Sequence, residues 1–551
     1  LIGPALPSPS SLPLPKQVAQ MVVVRASGHL FDHEIRYPRW EATRDQLRCW
    51  VEEVGVGGVI LLGGSAAEVA VRSHQLQSWA DIPLLLAADI EEGVGQRFSG
   101  ATWFPPPMAL GAWARHDPDA ALAQAEKMGA AIAQEATAIG LNWMLAPVVD
   151  VNSNPENPVI NVRALGQSPG QVSRLAQGFI QGTQAFPVLT TAKHFPGHGD
   201  TSIDSHLALP VIPHDRHRLG QIELPPFQAA IAAGVDAVMT AHLRVPQLDR
   251  HHPATLSPAI LTDLLRQELS FDGLIVTDAL VMQAITKTYG PYEAAILAVE
   301  AGADVLLMPA DPEGVIAALC EAVQVGRLSA ERILTSVERI WRAKQKLGTP
   351  LSLFPGGDDH AWERLPPAAM QLDQVAQPAI RQTAEAILQH SMSCQGHLDP
   401  QVPGPKQTVI VVDSVIDCRV LSRSSDAIAL PQRLGYDIVV VDNGPCQQWP
   451  HPDAPKLTLL QLFSRGNPFR GSAGTTAVAH RWFHALMESQ SLQGLVIYGS
   501  PYALYPYHAY LPHLPHVFTY GQMPMAQTLA LTTLFDLASH PHTSADLSFT
   551  D

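Results

Sequence analysis

Short apolar runs alternate with stretches of helical period through the first 310 residues. The runs that read as strands are Gln20–Val24, Val56–Gly63, Pro83–Asp89, Leu141–Val151, Val188–Lys193, Val235–His242, Leu274–Asp278 and Ala303–Met308. Between them lie amphipathic stretches such as Ala120–Ile139, Pro169–Phe186, Pro225–Ala233, Pro258–Leu269 and Tyr292–Ala301. Eight strands alternating with helices predict an α/β chain whose first part is a (β/α)8 barrel. The alternative is an open doubly wound sheet. No Gly-rich dinucleotide fingerprint or Walker A pattern follows the first strand, which counts against it.

A long helix, Ala330–Leu347, stops at Gly348-Thr349-Pro350, and a Pro- and Gly-bearing connector follows. Beyond it the rhythm resumes with a helix at Gln377–Ser391 and strands at Thr408–Val412, Asp437–Val441 and Gly494–Tyr498. A last helix is expected at Ala526–Ala538. The expected organisation is a barrel over 1–350, a linker over 351–375 and a smaller three-layer α/β sandwich domain over 376–551. The His-rich segment His508–His516 reads as a loop, and the polar residues of this second part converge nowhere visible in the sequence.

The ionisable residues of the first part are not evenly spread. Asp89, Asp150, Lys193-His194, His242 and Asp278 each close one of the strands from the third to the seventh. In a barrel those ends meet on one face, where the chemistry of this fold is built. The densest stretch runs from Lys193 to His206 (KHFPGHGDTSIDSH), with three His, two Asp and a Lys. Its two Gly and one Pro allow a tight turn and a close approach to a ligand. Asp204 and His206 are two apart, so an extended backbone points both the same way, and a carboxylate beside an imidazole tunes proton transfer. A solvated polar turn or a metal-binding His cluster remain the alternatives for this stretch alone.

Asp278 ends the apolar run Gly273-Leu-Ile-Val-Thr-Asp278. A carboxylate held rigidly and partly desolvated suits a nucleophile or an electrostatic stabiliser; a helix cap is the competing role. With an Asp/His proton carrier nearby, one group attacks while the other protonates the leaving group, which is the logic of a retaining glycosidase. Arg97 and Arg163 fall in the loops after the third and fourth strands. Each is a forked donor for hydroxyls or carboxylates, or else a surface ion-pair residue. Asp89 and Lys193 supply acceptors and donors of the kind a pyranose needs.

Composition narrows the partners. A formal charge of −16 argues against nucleic acid and against an anionic membrane surface, and no apolar run is long enough to span a bilayer. Hydrophobic content of 46% against 16% charged residues fits a large globular core. Cys49, Cys320, Cys394, Cys418 and Cys446 are scattered and odd in number, which fits free thiols in a reducing compartment. The expectation is therefore a cytoplasmic protein without a signal peptide. The start at Leu1 rather than Met leaves a trimmed, periplasmic or exported form open.

The segments KHFPGHGDTSIDSH, DIEEGVGQR, APVVDVN, NPVINVR, TAHL, ATLSPAILTDLLR and GLIVTDALVM together resemble glycoside hydrolase family 3. More narrowly they resemble its β-N-acetylglucosaminidase branch, the enzymes of peptidoglycan recycling. The resemblance implies Asp278 as nucleophile and His206 as acid/base with Asp204 as its partner. It implies Asp89, Arg97, Arg163, Lys193 and His194 as sugar-binding residues. It further implies retention, no cofactor or metal, and a small carbohydrate substrate such as a terminal β-GlcNAc glycoside or muropeptide; a monomer or a homodimer is expected, and the sequence does not choose between them.

The rivals are a β-N-acetylglucosaminide phosphorylase, a β-glucosidase, a metal-dependent hydrolase using His194, His198 and His206, and a non-catalytic muropeptide-binding barrel. Two departures stand out. Glu91-Glu92-Gly93 replaces the Glu-Gly-Gly usual in the branch, and Ala164-Leu165 replaces Ser-Phe after Arg163. The second domain resembles the family's only loosely, and its absence from some members of the branch implies that catalysis does not need it.

Overall fold

The computed structural model describes residues 6–201, 209–347, 370–444, 456–466 and 474–537. Eight parallel strands form its first part: β1 (Val22–Ser27), β2 (Gly58–Leu62), β3 (Leu85–Ala88), β4 (Trp143–Met144), β5 (Thr191–Phe195), β6 (Ala237–Thr240), β7 (Leu274–Val276) and β8 (Leu306–Leu307). They pair as β4-β3-β2-β1-β8 and as β5-β6-β7. Single parallel bridges at Trp143–Leu189, Val148–Lys193 and Val276–Val305 join the two sheets into a ring. That is the (β/α)8 barrel expected from the sequence.

The strands are buried on both faces because helices cover the outside and packed side chains fill the middle, so they read as continuous apolar runs. Leu141–Val151 is the least regular of the expected strands. Only Trp143–Met144 is strand, and the rest is an extended segment that meets β5 again at Val148.

Proline marks where the helices begin. Pro118, Pro169, Pro225, Pro291, Pro312, Pro378 and Pro524 each open a helix. The first turn has no use for the missing N–H, and the fixed φ favours it. The helix Ala66–Trp79, which the hydrophobic pattern did not reveal, starts with a capping box. Ser65 accepts from the Glu68 N–H, while the Glu68 carboxylate accepts from Ser65 N.

The second part is a six-stranded sheet in the order β11-β10-β12-β13-β14-β9. Its strands are β9 (Ser393–Gln395), β10 (Lys406–Val411), β11 (Tyr436–Val441), β12 (Leu457–Ser464), β13 (Leu492–Gly499) and β14 (His516–Thr519). Only β9 runs antiparallel. The period of two sorts its side chains into two cores. Val409, Val411, Leu460, Leu462, Leu495 and Ile497 join the large core that also contains the barrel, with Trp482 and Phe483 of the helix Ala477–Glu488. Ile410, Leu459, Phe463, Val496 and Tyr498 face the other way, under helices Asp426–Arg433 and Pro524–Leu534. This is the three-layer arrangement expected. The segment His508–His516 is a loop with one helical turn, Leu511–His513, and its last residue begins β14.

The two ends of the barrel carry charge differently. Asp304, just before β8 at the N-terminal end, is fully buried. It accepts from Arg266 Nη2 (2.6 Å), Ser336 Oγ (2.7 Å), Arg339 Nη1 (3.1 Å) and the Ile275 N–H (3.0 Å). Every acceptor site there is spent on holding strands to helices. At the opposite end the charged groups face one another instead.

Candidate active site

Five C-terminal strand ends deliver the charged groups. Asp89 follows β3, Asp150 follows β4, Lys193 and His194 lie in β5, His242 follows β6 and Asp278 follows β7. Lys193 is buried, with Nζ 2.8 Å from Asp89 Oδ1 and 2.6 Å from Glu91 Oε1. Two of the three ammonium donors are thereby engaged. Glu91, itself 3% exposed, also takes Arg163 at two points, Nε to Oε2 and Nη2 to Oε1, both 2.8 Å.

A third Arg163 contact, from Nη1 to the Val159 carbonyl (3.1 Å), fixes the guanidinium plane. The Asp89 side chain keeps 31% of its surface, so it is the acceptor of this group most open to a ligand. Arg97 Nε donates to the Asp89 carbonyl (2.8 Å) and orients the same turn.

His194 is fixed from both sides. Its Nδ1 lies 2.8 Å from Asp150 Oδ2, and Asp150 also accepts from the His194 and His198 backbone N–H groups (3.1 and 2.6 Å). A carboxylate can only accept, so Nδ1 carries the proton shared with Asp150, while Nε2 lies 3.4 Å from Arg163 Nη2.

The glycines of the same stretch make the tight turn expected, and the close approach that Gly199 permits is to the barrel's own backbone. Gly197 has φ +128°, and a Cβ on Gly199 would lie 1.7 Å from the Val151 carbonyl oxygen. Asn157 Nδ2 closes the turn by donating to the His198 and Gly199 carbonyls (2.9 and 3.0 Å).

The charges shift one another's proton affinities. Burial opposes ionisation of Asp89, Glu91 and Asp150, yet all three carboxyls fall below their ordinary range. Lys193 and Arg97 outweigh burial at Asp89; Arg163 and Lys193 do so at Glu91, which drops furthest; His194 does so at Asp150. Burial also works against Lys193, but Asp89 and Glu91 raise it above the ordinary lysine value. His198 goes the other way. Burial pushes its imidazole down to about 4, against the pull of Asp150. The result is a set of fixed charges around an uncharged His198.

Asp278 is half-buried and on the same barrel face, where its charge reaches His198. Its Oδ1 accepts from the Ala279 N–H at 2.7 Å. His242 spans the strand ends beside it, with Nδ1 2.8 Å from Thr255 Oγ1 and Nε2 3.1 Å from the Ala279 carbonyl. Asp204 and His206 lie outside the described residues. Among the described residues, the side chains close enough together to hold a metal ion are His29, Glu34 and Glu68; His194 and His198 are not in that group.

The sequence reading passed over Glu91, the residue on which Lys193 and Arg163 meet. The signal was available. Two consecutive carboxylates at a strand end, two residues from Asp89, require cations near them. Another expectation is corrected: polar residues of the second sheet do converge, and they converge on the barrel. Arg465 Nη1 donates to Glu92 Oε2 at 3.0 Å, and its Nη2 meets Oε1. Tyr502 Oη accepts from Asn152 Nδ2 and Gln167 Nε2, both at 2.7 Å, and Ser500 Oγ donates to Asn161 Oδ1 at 2.9 Å. The pairs are more than 300 residues apart in sequence, so no local pattern could have announced them.

Comparison with known proteins bears on the whole chain. Residues 14–343 match the glycosyl hydrolase family 3 N-terminal domain, and residues 404–536 match the bacterial glycosyl hydrolase family 3 C-terminal domain. The chain belongs to glycosyl hydrolase family 3. It is 38% identical over 328 residues to beta-hexosaminidase A of Pseudoalteromonas piscicida, covering 54% of each chain. It is 36% identical over 298 residues to a beta-hexosaminidase of Stenotrophomonas maltophilia strain K279a, covering 53% of this chain and 88% of that one.

The match thus spans about half the length of the Pseudoalteromonas relative. A solved family 3 beta-N-acetylglucosaminidase from Paenibacillus sp. str. FPU-7 superposes with a TM-score of 0.75 at 31% identity, covering 96% of this chain and 97% of that one. The family 3 pairing of a barrel with a second sheet domain therefore extends over nearly the whole chain. Among the described residues, no helix is long and apolar enough to cross a membrane.

Proposed function

We propose that this chain is a retaining exo-β-N-acetylglucosaminidase that removes terminal β-linked N-acetylglucosamine, with peptidoglycan-derived muropeptides as the natural substrate class. The observation that carries the reading is the position of Asp278. It is a half-exposed carboxylate at the end of β7, on the same barrel face as the buried Lys193–Glu91–Arg163 group and the open acceptor Asp89. The names of the Pseudoalteromonas, Stenotrophomonas and Paenibacillus relatives support the choice of sugar.

In this reading the sugar sits over Asp89, with Lys193, Arg97, Arg163 and His194 as further contacts. Asp278 attacks the anomeric carbon and the glycosidic oxygen leaves with a proton from His206, whose partner is Asp204. Water then enters with His206 as base and releases the sugar with its anomeric configuration kept. The catalytic unit is the barrel of 1–350, joined through 351–375 to the second domain of 376–551. No cofactor enters the scheme.

The test is the initial rate of release of an activated phenol from its β-N-acetylglucosaminide and from its β-glucoside, in parallel, with EDTA present and with phosphate varied. A large preference for the N-acetyl sugar, insensitive to both additives, is expected. Preference for the glucoside would overturn the assigned sugar. A rate that rises with phosphate would make the acceptor phosphate instead of water.

A further inference from the structure

We infer that Arg465 of the second domain is a positioning residue for the barrel's sugar cradle, acting through Glu92. The inference rests on the active-site reading above and adds a role for the domain that the sequence resemblance implied to be dispensable. Glu92 is fully buried. Its carboxylate takes Arg465 at two points and Trp103 Nε1 at 3.1 Å. Its backbone is held as well, with the N–H donating to Gln96 Oε1 (3.0 Å) and the carbonyl accepting from the Phe104 N–H (2.7 Å). A buried carboxylate without its cation is strongly unfavourable, so the loop keeps this shape only while the guanidinium is present.

The next residue back is Glu91, the carboxylate on which Lys193 and Arg163 meet. The partner loop is pinned from the same side. Arg163 belongs to the helical turn Asn161–Arg163, and Asn161 accepts from Ser500 Oγ. Gly466, directly after Arg465, packs so closely that a Cβ there would lie 3.0 Å from Asn161 Cβ and Cγ. The ends of β12 and β13 therefore clamp both halves of the Glu91–Arg163 pair. Glu92, one of the two departures from the usual branch sequence, is the residue that receives this clamp.

The experiment compares Arg465→Ala, Arg465→Lys, Glu92→Gln and the double variant Arg465→Ala/Glu92→Gln in the full chain, with kcat and KM on the aryl β-N-acetylglucosaminide. Arg465→Ala is expected to lower kcat/KM at least tenfold, mainly through a raised KM, because a displaced cradle loses binding in ground and transition states alike. Arg465→Lys keeps the charge but not the two-point geometry, and a loss of threefold or more is expected. The double variant recovers most of the Arg465→Ala loss, because a neutral amide needs no counter-ion.

Activity of Arg465→Ala or Arg465→Lys within twofold of the parent overturns the inference. So does a double variant no better than Arg465→Ala. A fall in kcat at unchanged KM also overturns it, since that marks a smaller folded fraction and not a misplaced cradle. A parent chain inactive on the N-acetyl sugar fails the functional reading itself and takes the inference with it.

Discussion

Glu91 and Arg163 form a two-point ion pair, Nε to Oε2 and Nη2 to Oε1 at 2.8 Å each, between loops that follow neighbouring strands of one barrel. The pair is shared, because Glu91 Oε1 also lies 2.6 Å from Lys193 Nζ. Glu91→Gln should therefore remove the counter-charge of Arg163 and leave Lys193 with Asp89 alone. Removing one partner of a buried pair costs about 3–5 kcal/mol, and kcat/KM should fall by tenfold or more.

The same pair has a pH signature. The Glu91 carboxyl is held well below its ordinary 4.5, by Arg163 and Lys193 against burial. Its contribution to stability is then fully present above that pH and is lost as the pH falls toward the depressed folded value. Thermal unfolding followed downward from pH 5 should decline more steeply for the parent than for Glu91→Gln. Parallel curves would contradict the pairing.

His198 gives a second window. Its folded pKa is pushed down to about 4 from 6.5, so the unfolded chain binds a proton that the folded chain refuses. Between those values stability should rise with pH, by on the order of 3 kcal/mol in total. His198→Gln removes the titrating group, so its stability should rise less with pH across that interval than the parent's, the remaining slope coming from the carboxylates. Urea midpoints measured at pH 4.5, 5.5 and 6.5 for both proteins would show it. A variant as pH-dependent as the parent would mean that another group carries the effect.

Gly199 tests the turn itself. Any Cβ there would meet the Val151 carbonyl at 1.7 Å, which is backbone and cannot swing aside. Gly199→Ala should lower Tm by several degrees and cost activity, because His198 and Thr201 move with the turn. Gly220, exposed in the helix Arg216–Gln221 with nothing near its missing Cβ, is the matched control, and Gly220→Ala should leave activity unchanged and Tm unchanged or slightly raised, because Ala favours the helix.

The barrel was legible because its strands are apolar on both faces and its polar residues gather at one set of ends. The runs at Val56–Gly63 and Pro83–Asp89 contain β2 and β3 with only their margins trimmed. The second sheet was half legible. Leu457–Ser464 is a strand buried on both faces, but its Leu-rich run has no period that separates strand from helix. His516–Thr519 is only four residues long and hides behind a His- and Pro-rich loop.

Within the site, sequence reading named Asp89, Arg163, Lys193 and His194, and the fold brings these together through Glu91 and Asp150. It saw nothing of Arg465, Ser500 or Tyr502. Contacts between separately patterned domains leave no trace in the periodicity of either.

The role of Asp278 is tested most directly by trapping. The chain is incubated with a ring-fluorinated β-N-acetylglucosaminide bearing a good leaving group, which forms the glycosyl intermediate faster than it is hydrolysed, and its peptides are then mapped by mass. A sugar adduct on the peptide containing Asp278, absent from Asp278→Asn, is the predicted result. An adduct on a different carboxylate, or turnover that releases the inverted anomer with no adduct at all, would contradict it.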